Sequence, residues 1–510
     1  AFERLGAVAK APALESGLRY DAAWARDIPA FSPLGFWLEV EGIRYRIVSA
    51  GGDAQTNPNG IWQNLRQMAN GEHLQHFDLL NVRFADTQGR ELAGLSASIE
   101  FACWPQFFVY TVHLSEATDG PAPRSVTAGM DVHAGAGADT VRVHAVNDAS
   151  WKSPGETNSS ATEGVVWTDA RGSGLGVLCG SEGEWRIQDT EAKNCSVVRS
   201  VGALSAQKAT SLSFVVVPAA RQVLGLCSSL SADAQDDGGP VLTASTTGEP
   251  LVQRFDRRYW ARVVELPPFD DVWKTERLRF SLRNRSDSLR SLRLLFEKQY
   301  LAQQRERGTA NLIGFSTSLI DAATGLSLGF PMQTSKNWHV SDSWAQTATC
   351  LDVPPQRQYT LDLERVNATW AGTPAVSHSQ LCLIGWGGHQ QWDQVALGSA
   401  GEAICYDPYV GLERAVVDDF RPQFVWGIGQ PHQKWVWTEN VGGADFLVLE
   451  TPRSGKVLPE AQKTLRRKVG PVLSEVTYAG SYAAGRIHNS ATVYAFQSDD
   501  YFRAYFHVVY

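Results

Sequence analysis

One-for-one alternation of apolar and polar residues is the dominant signal along this chain. "TVRVHAV" (Thr140 to Val146), "RLRFSLR" (Arg277 to Arg283) and "QYTLDLE" (Gln358 to Glu364) each place apolar residues at every second position. That is the spacing at which an extended strand gives one face to a core and the other to water. Turn chemistry punctuates the runs: Asp86-Thr87-Gln88-Gly89, Asp169-Ala170-Arg171-Gly172 and Asp321-Ala322-Ala323-Thr324-Gly325 each separate two of them, as hairpin loops do.

Helical spacing competes in two places. From Ser288, residues Leu289, Leu292, Leu295 and Phe296 fit a helix face, yet Leu292, Leu294 and Phe296 also alternate against Arg293 and Glu297. Because a strand and a polar turn precede them, the segment reads as a hairpin followed by a short helix in "QYLAQQRER". A second, weaker helix is predicted over Ile61 to Asn70. No fixed period recurs, which argues against propellers and solenoids. Many short strands, polar turns and few helices predict an all-β chain of packed antiparallel β-sandwich layers.

At 510 residues the chain exceeds what one hydrophobic core supports. "SLSADAQDDGGPVLTASTTGEP" (Ser229 to Pro250) concentrates small and turn-forming residues between two strand-rich halves. The expected organisation is therefore an N-terminal β-sandwich over 1–228, a linker or long surface loop over 229–250, and a Trp-rich β-sandwich over 251–510.

Composition then acts mainly by exclusion. Charged residues make up 20% and the net charge is −8, with "TLRRK" (Thr464 to Lys468) the only basic knot. A phosphate backbone needs a concentrated positive footprint, so nucleic acid is not an expected partner. No apolar run approaches the roughly 20 residues that span a bilayer, so no membrane is expected either. The seven cysteines are widely spaced, without a Cys-x-x-Cys pair. Runs such as "GVLCG" and "QLCLIGW" make them buried thiols rather than zinc ligands or a disulfide framework. "EHLQH" sets His73 and His76 three apart but lacks the Glu between two His of the hydrolytic zinc pattern, which leaves a surface or capping role. "RGSGLG" counts like a dinucleotide loop but lies in an apparent hairpin with no helix after it. Neither a metal nor a cofactor is expected. The chain opens at Ala1 without an initiator Met, as a removed leader or a trimmed chain would, and its strand-like end fits a protein that continues past Tyr510. The expected location is secreted or periplasmic.

Tryptophan changes the picture most. Eight of the 17 lie between Trp338 and Trp437, whereas each buried aromatic removes about 150 to 250 Å² from water, so that a core needs only a few. Three segments carry the excess: "QTSKNWHVSDSW" (Gln333 to Trp344), "WGGHQQWDQVALGSAGE" (Trp386 to Glu402) and "PHQKWVWTENVGGADF" (Pro431 to Phe446). Flat indoles stack on the apolar face of a sugar ring while carboxylates, amides and imidazoles take its hydroxyls. The candidate substrate-binding residues are Trp338, His339, Trp386, His389, Trp392, His432, Trp435 and Trp437. In the last segment Trp435, Trp437 and Glu439 share strand parity, and Asn440 to Gly443 read as a turn into a partner strand "ADFLVLE".

Glycosidic hydrolysis uses one carboxylic acid to protonate the leaving oxygen and one carboxylate as nucleophile or base. Asp393, Glu402, Glu439, Asp445 and Glu475 are the candidates in the aromatic half. The expected activity is that of a glycoside hydrolase acting on an oligo- or polysaccharide. Two other classes compete. A polysaccharide lyase would draw on His339 with Lys336 or His432 with Lys434, and a non-catalytic carbohydrate-binding or assembly protein, including a homo-oligomer, would use the indoles for capture or subunit contact. The ordinary structural alternative is that about half of the tryptophans are plain core or strand-edge residues.

Overall fold

The computed structural model describes residues 34–50, 56–57, 60–61, 65–70, 73–117, 125–133, 140–145, 151–152, 162–168, 172, 174–179, 184–191, 194–206, 209–219, 222–227, 241–244, 254–256, 260–264, 275–299, 312–326, 328, 330, 332–337, 344–369, 380–386, 391–398, 402–406, 416–426, 434–437, 444–445, 449–453, 455–457, 461–468, 473–496 and 503–509. These residues are almost entirely sheet, with a single helical turn at 223–227. The all-β sandwich class read from alternation is the observed one. The chain divides into two compact units, Ala1–Gln67 with Gln75–Asp236, and Met68–Leu74 with Asp237–Tyr510.

The first unit is a sandwich of a six-stranded and a nine-stranded antiparallel sheet. In the smaller sheet Leu34–Val40 lies between Val126–His133 and Ile43–Ala50. In the larger, Phe108–Glu116 lies between Leu95–Cys103 and Thr210–Ala219. Alternation decides what is buried between them. Phe36, Leu38, Ala128 and Met130 from one sheet pack with Ile99, Tyr110, Val112, Phe214 and Val216 from the other. Phe36 meets Phe84 and Phe214 edge-on, with ring centroids 6.1 and 6.4 Å away. The predicted turn at Asp86 forms as its sequence dictates: the carboxylate accepts the Gln88 and Arg90 amides, and Gly89 takes φ +80°.

The predicted helix over Ile61 to Asn70 is corrected, because Leu65–Asn70 is a strand at the edge of the nine-stranded sheet. Helix propensity is a weak preference that strand pairing overrides. His76 is likewise not a surface or capping residue; it lies fully buried on the Gln75–Leu79 strand.

In the second unit a four-stranded sheet (Val241–Ala244, Thr275–Arg283, Gln358–Thr369, Leu312–Asp321) faces an eleven-stranded one. Phe280, Leu282, Leu319, Leu361 and Leu363 from the first pack against Leu292, Leu294, Phe296, Leu351 and Val353 from the second. The expected hairpin and helix after Arg283 are therefore corrected. Arg290–Gln299 is a strand, and it pairs with Trp344–Val353 in the opposite layer instead of with Thr275–Arg283. Asn284 carries the chain across: its amide nitrogen donates to the Ser288 and Val353 carbonyls at 2.9 and 2.8 Å, while its oxygen accepts from the Ser286 amide and hydroxyl. Residues 300–311, where the short helix was expected, lie outside the described residues.

The eleven-stranded sheet continues from Trp344–Val353 through Gln333–Asn337, Gln380–Trp386, Gln391–Gly398, Glu402–Tyr406 and Val416–Trp426 to Lys434–Trp437. Two of its pairings are parallel, including Gln333–Asn337 with Gln380–Trp386. A four-stranded antiparallel meander (Ala461–Lys468, Leu473–Tyr482, Ile487–Phe496, Arg503–Val509) closes the chain, and its two middle strands pack near Gln391–Gly398. Among the described residues, no helix is long and apolar enough to cross a membrane.

Candidate functional site

Backbone register places seven of the thirteen residues singled out by chemistry in one stretch of one sheet. Trp386 ends its strand, Trp392 and Asp393 stand on the next, Glu402 begins the third, and Trp435, Trp437 and Asp445 stand on the two segments that pair with Val416–Trp426. Glu475 belongs to the meander strand Leu473–Tyr482, half-buried, with Lys468 opposite on one side and Tyr494 on the other. Trp338, His339, His389, His432 and Glu439 lie outside the described residues.

The Trp435 segment differs from the turn its sequence suggested. Ala444–Asp445 is not the hairpin partner of Lys434–Trp437. Both pair antiparallel with Val416–Trp426, Trp437 opposite Gln423 and Ala444 opposite Val417, so the two run one after the other along the same strand. The glycines between them serve a connection rather than a hairpin end.

Register also sorts the residues by face, since directly opposed residues share one. Leu397 faces Ile404, Ile404 faces Phe420, and Glu402 faces Pro422, which sets Glu402 among apolar positions. On the other face, Ala396 opposes Cys405, Ala403 opposes Arg421 and Cys405 opposes Asp419. Trp437 and Trp435, opposite Gln423 and Val425, fall on that second face. Asp419, Arg421 and Gln423 are residues that sequence reasoning passed over. The signal was present: "VVDDFRPQFVW" alternates Asp, Arg and Gln with Phe, Pro and Phe.

Two bulges re-aim this region. One extra residue separates Gln391 from Gln394 against Ile384 and Trp386, so that Trp392 and Asp393 together oppose Gly385. A second bulge lies between Val417 and Asp419, where the register against Cys405 and Tyr406 slips by one. Bulges are enriched beside active sites because they turn selected side chains off the regular pleat.

The first unit has polar clusters of its own on the outward strand positions. Asp131 is 6% exposed; its carboxylate accepts the Trp37 indole N–H at 2.7 Å, the Ser196 hydroxyl at 2.6 Å and the Arg46 guanidinium. Arg44 stacks over the Trp37 ring, 3.8 Å from its centroid. Burial would raise the Asp131 carboxyl, but the hydrogen bonds from Ser196, Arg46 and Trp37 and the Arg46 charge outweigh it and hold the group below the usual carboxylate range. In the larger sheet Glu100 sits between two imidazoles, 3.0 Å from His76 Nε2 and 3.1 Å from His113 Nε2, while His113 Nδ1 meets the Ser211 hydroxyl at 2.9 Å. Every polar group of the Asp131 cluster has a partner within it, the arrangement of a structural seam. Burial pushes the Cys103 and Cys227 thiols up to about 12, which suits packing and not nucleophilic work. Among the described residues, no three His, Cys, Asp or Glu side chains gather as metal ligands.

No protein-family model matches the chain, and no curated protein matches it. Solved structures to which it is similar include the GH36 α-galactosidase AgaA of Geobacillus stearothermophilus. A variant in complex with stachyose aligns at 8% identity and TM-score 0.24, covering 41% of this chain and 33% of that one. A second, with 1-deoxygalactonojirimycin, aligns at 10% identity and TM-score 0.23, covering 39% and 31%. The chain thus spans about a third of the length of these structures. Likeness at that level carries no argument, and the functional reading rests on the residues themselves.

Proposed function

We propose that this chain is a carbohydrate-active protein, and specifically a glycoside hydrolase whose ligand lies along the Trp435 and Trp437 face of the eleven-stranded sheet. The observation that carries the reading is the gathering of Trp386, Trp392, Asp393, Glu402, Trp435, Trp437 and Asp445 onto consecutive or directly paired strands. These residues come from two well-separated segments, "WGGHQQWDQVALGSAGE" and "PHQKWVWTENVGGADF", so their meeting is a property of the fold and not of local composition. Small residues (Ala396, Gly398, Ala403) hold the intervening positions of the Trp face, leaving room above the sheet for a flat ring.

Hydrolysis requires a carboxylic acid and a carboxylate, and this stretch supplies Asp393, Glu402 and Asp445 of the five candidate acids, with Glu475 on the adjoining meander. The polysaccharide lyase reading drew on His339 and His432, which fall outside the described residues.

A panel of single amides tests the proposal: Asp393→Asn, Glu402→Gln, Glu439→Gln, Asp445→Asn and Glu475→Gln, assayed for release of reducing ends from neutral glycans. At least one should lose turnover by a factor of about 10² or more while retaining glycan binding. Products that carry a new ultraviolet-absorbing double bond would instead identify a lyase, and full turnover in all five would remove the assignment.

A further inference from the structure

A single row of directly opposed residues crosses seven strands of the eleven-stranded sheet. It runs Phe296, Thr347, Thr334, Cys382, Ala396, Cys405, Asp419. Its first member is fully buried in the core against the four-stranded sheet. Its last is a carboxylate. Directly opposed residues share a face, so Asp419 stands on the side of the sheet that faces the sandwich interior.

The opposite layer changes character in the same way. On Gln358–Thr369 the core positions Leu361 and Leu363 are followed, at the same alternation, by Arg365, Asn367 and Thr369. Arg365 is opposed by Glu276 on one neighbour and by Thr317 on the other, whereas the preceding row is Leu278, Leu363, Leu319. Gln358–Thr369 is also the strand that approaches Lys434–Trp437. Both inner faces thus pass from apolar to polar. Charged positions do not fill a dry sandwich core, because each unpaired charge there costs roughly several kcal/mol in lost hydration.

We infer that the second unit opens past Ala396 into a ligand cleft between its two layers, and that Asp419 is the partner carboxylate of Asp445 within it. This inference rests on the carbohydrate reading above. The bulge after Val417 is what puts the two acids together. Asp445 opposes Val416, and the slip of one residue makes Asp419 the next position of that strand on the same face. In a regular strand, residues 416 and 419 would stand on opposite faces.

Diagonal neighbours across an antiparallel pair are about 7–8 Å apart. That matches the roughly 6.5–9.5 Å between carboxyl groups of inverting glycosidases, and exceeds the roughly 5–5.5 Å of retaining ones. Asp445 gives its proton to the leaving glycosidic oxygen as the bond from that oxygen to the anomeric carbon breaks. Asp419 takes a proton from the water whose oxygen forms the new bond on the opposite face. One water is consumed, and both carboxyl groups return to their starting states by proton exchange with solvent. Arg421, at the next position on the Asp419 face, favours the ionised partner and so gives Asp419 the base role.

The experiment compares Asp419→Asn, Asp445→Asn and Glu402→Gln in the full chain, with glycan binding, reducing-end release and circular dichroism measured on each. The two Asp variants should each lose turnover by about 10² to 10⁴-fold with binding changed less than about threefold, and Glu402→Gln, on the apolar face, should keep it. Added formate should restore part of the turnover of Asp419→Gly, a readout that a merely structural role would not produce. Proton NMR of the first product should show the inverted anomer. Retained turnover in Asp419→Asn beside an inactive Asp445→Asn, or a retained anomer, would overturn the pairing and leave the carbohydrate reading standing. A wild-type chain that neither binds nor cleaves any glycan would end both.

Discussion

Gly129→Val should destabilise the first unit by more than about 4 kcal/mol, the largest effect expected from any single substitution in its described residues. A Cβ at residue 129 would stand 2.1 to 2.6 Å from carbons of the Trp37 indole. That ring is fully buried, stacked beneath Arg44 and tied to Asp131 by its N–H, so it has no free direction in which to yield. Relief would require either bending Val126–His133 away from Leu34–Val40, with which it pairs from Leu34↔Val132 to Glu39↔Thr127, or expelling the indole. Urea unfolding followed by tryptophan fluorescence measures the loss. A midpoint within the error of the wild type would show that the indole does not lie across Gly129.

Asp131→Ala should cost about 3 kcal/mol, read in the same assay. It removes the acceptor of three hydrogen bonds and leaves the buried Trp37 N–H without one, an omission worth about 1–3 kcal/mol by itself. Arg46 is half-exposed and recovers water, which keeps the effect below that of breaking a fully buried pair. The pH dependence carries a definite sign. A carboxyl held below its unfolded value contributes stability that is fully present above the unfolded pKa, near 3.8, and is lost as pH falls through the folded one. Asp131→Asn should therefore flatten the acid limb of the stability curve. An unchanged limb would mean that the carboxylate has no net preference for its folded surroundings.

The strands were legible wherever one face meets water. Arg277 to Arg283 and Gln358 to Glu364 alternate because Phe280, Leu282, Leu361 and Leu363 enter the core while Arg279 and Arg283 stay exposed. Arg290–Gln299 was misread because it is buried on both sides: Leu292, Leu294 and Phe296 face one layer, yet Leu295 and Arg293 are buried too. A strand covered on both faces loses its period of two, and the leucines left behind imitate a helical stripe.

The site was legible in its materials but not in its arrangement. Tryptophan density directed attention to the segments around Trp386 and Trp435, and those segments do meet in one sheet. Which carboxylate stands beside which indole depends on pairing and register, properties of partners far away in sequence, and one slipped residue exchanges the faces. Glu402 and Asp419 illustrate the point. Glu402 follows a glycine-rich loop and looks poised, yet opposes Pro422 on the apolar face; Asp419 sits in an ordinary strand-like run and opposes Cys405 on the other.

Glycan binding by Trp437→Ala beside Trp426→Ala, by affinity electrophoresis and calorimetry on the full chain, asks most directly whether a sugar occupies this face of the sheet. The two indoles stand on neighbouring paired strands but opposite faces, Trp437 against Gln423 and Trp426 against Lys434. A ligand on the Trp435 and Trp437 face predicts at least a tenfold loss of affinity, about 1.4 kcal/mol, for Trp437→Ala and no change for Trp426→Ala. Equal losses from both, or undiminished binding by Trp437→Ala, would show that no ligand lies there.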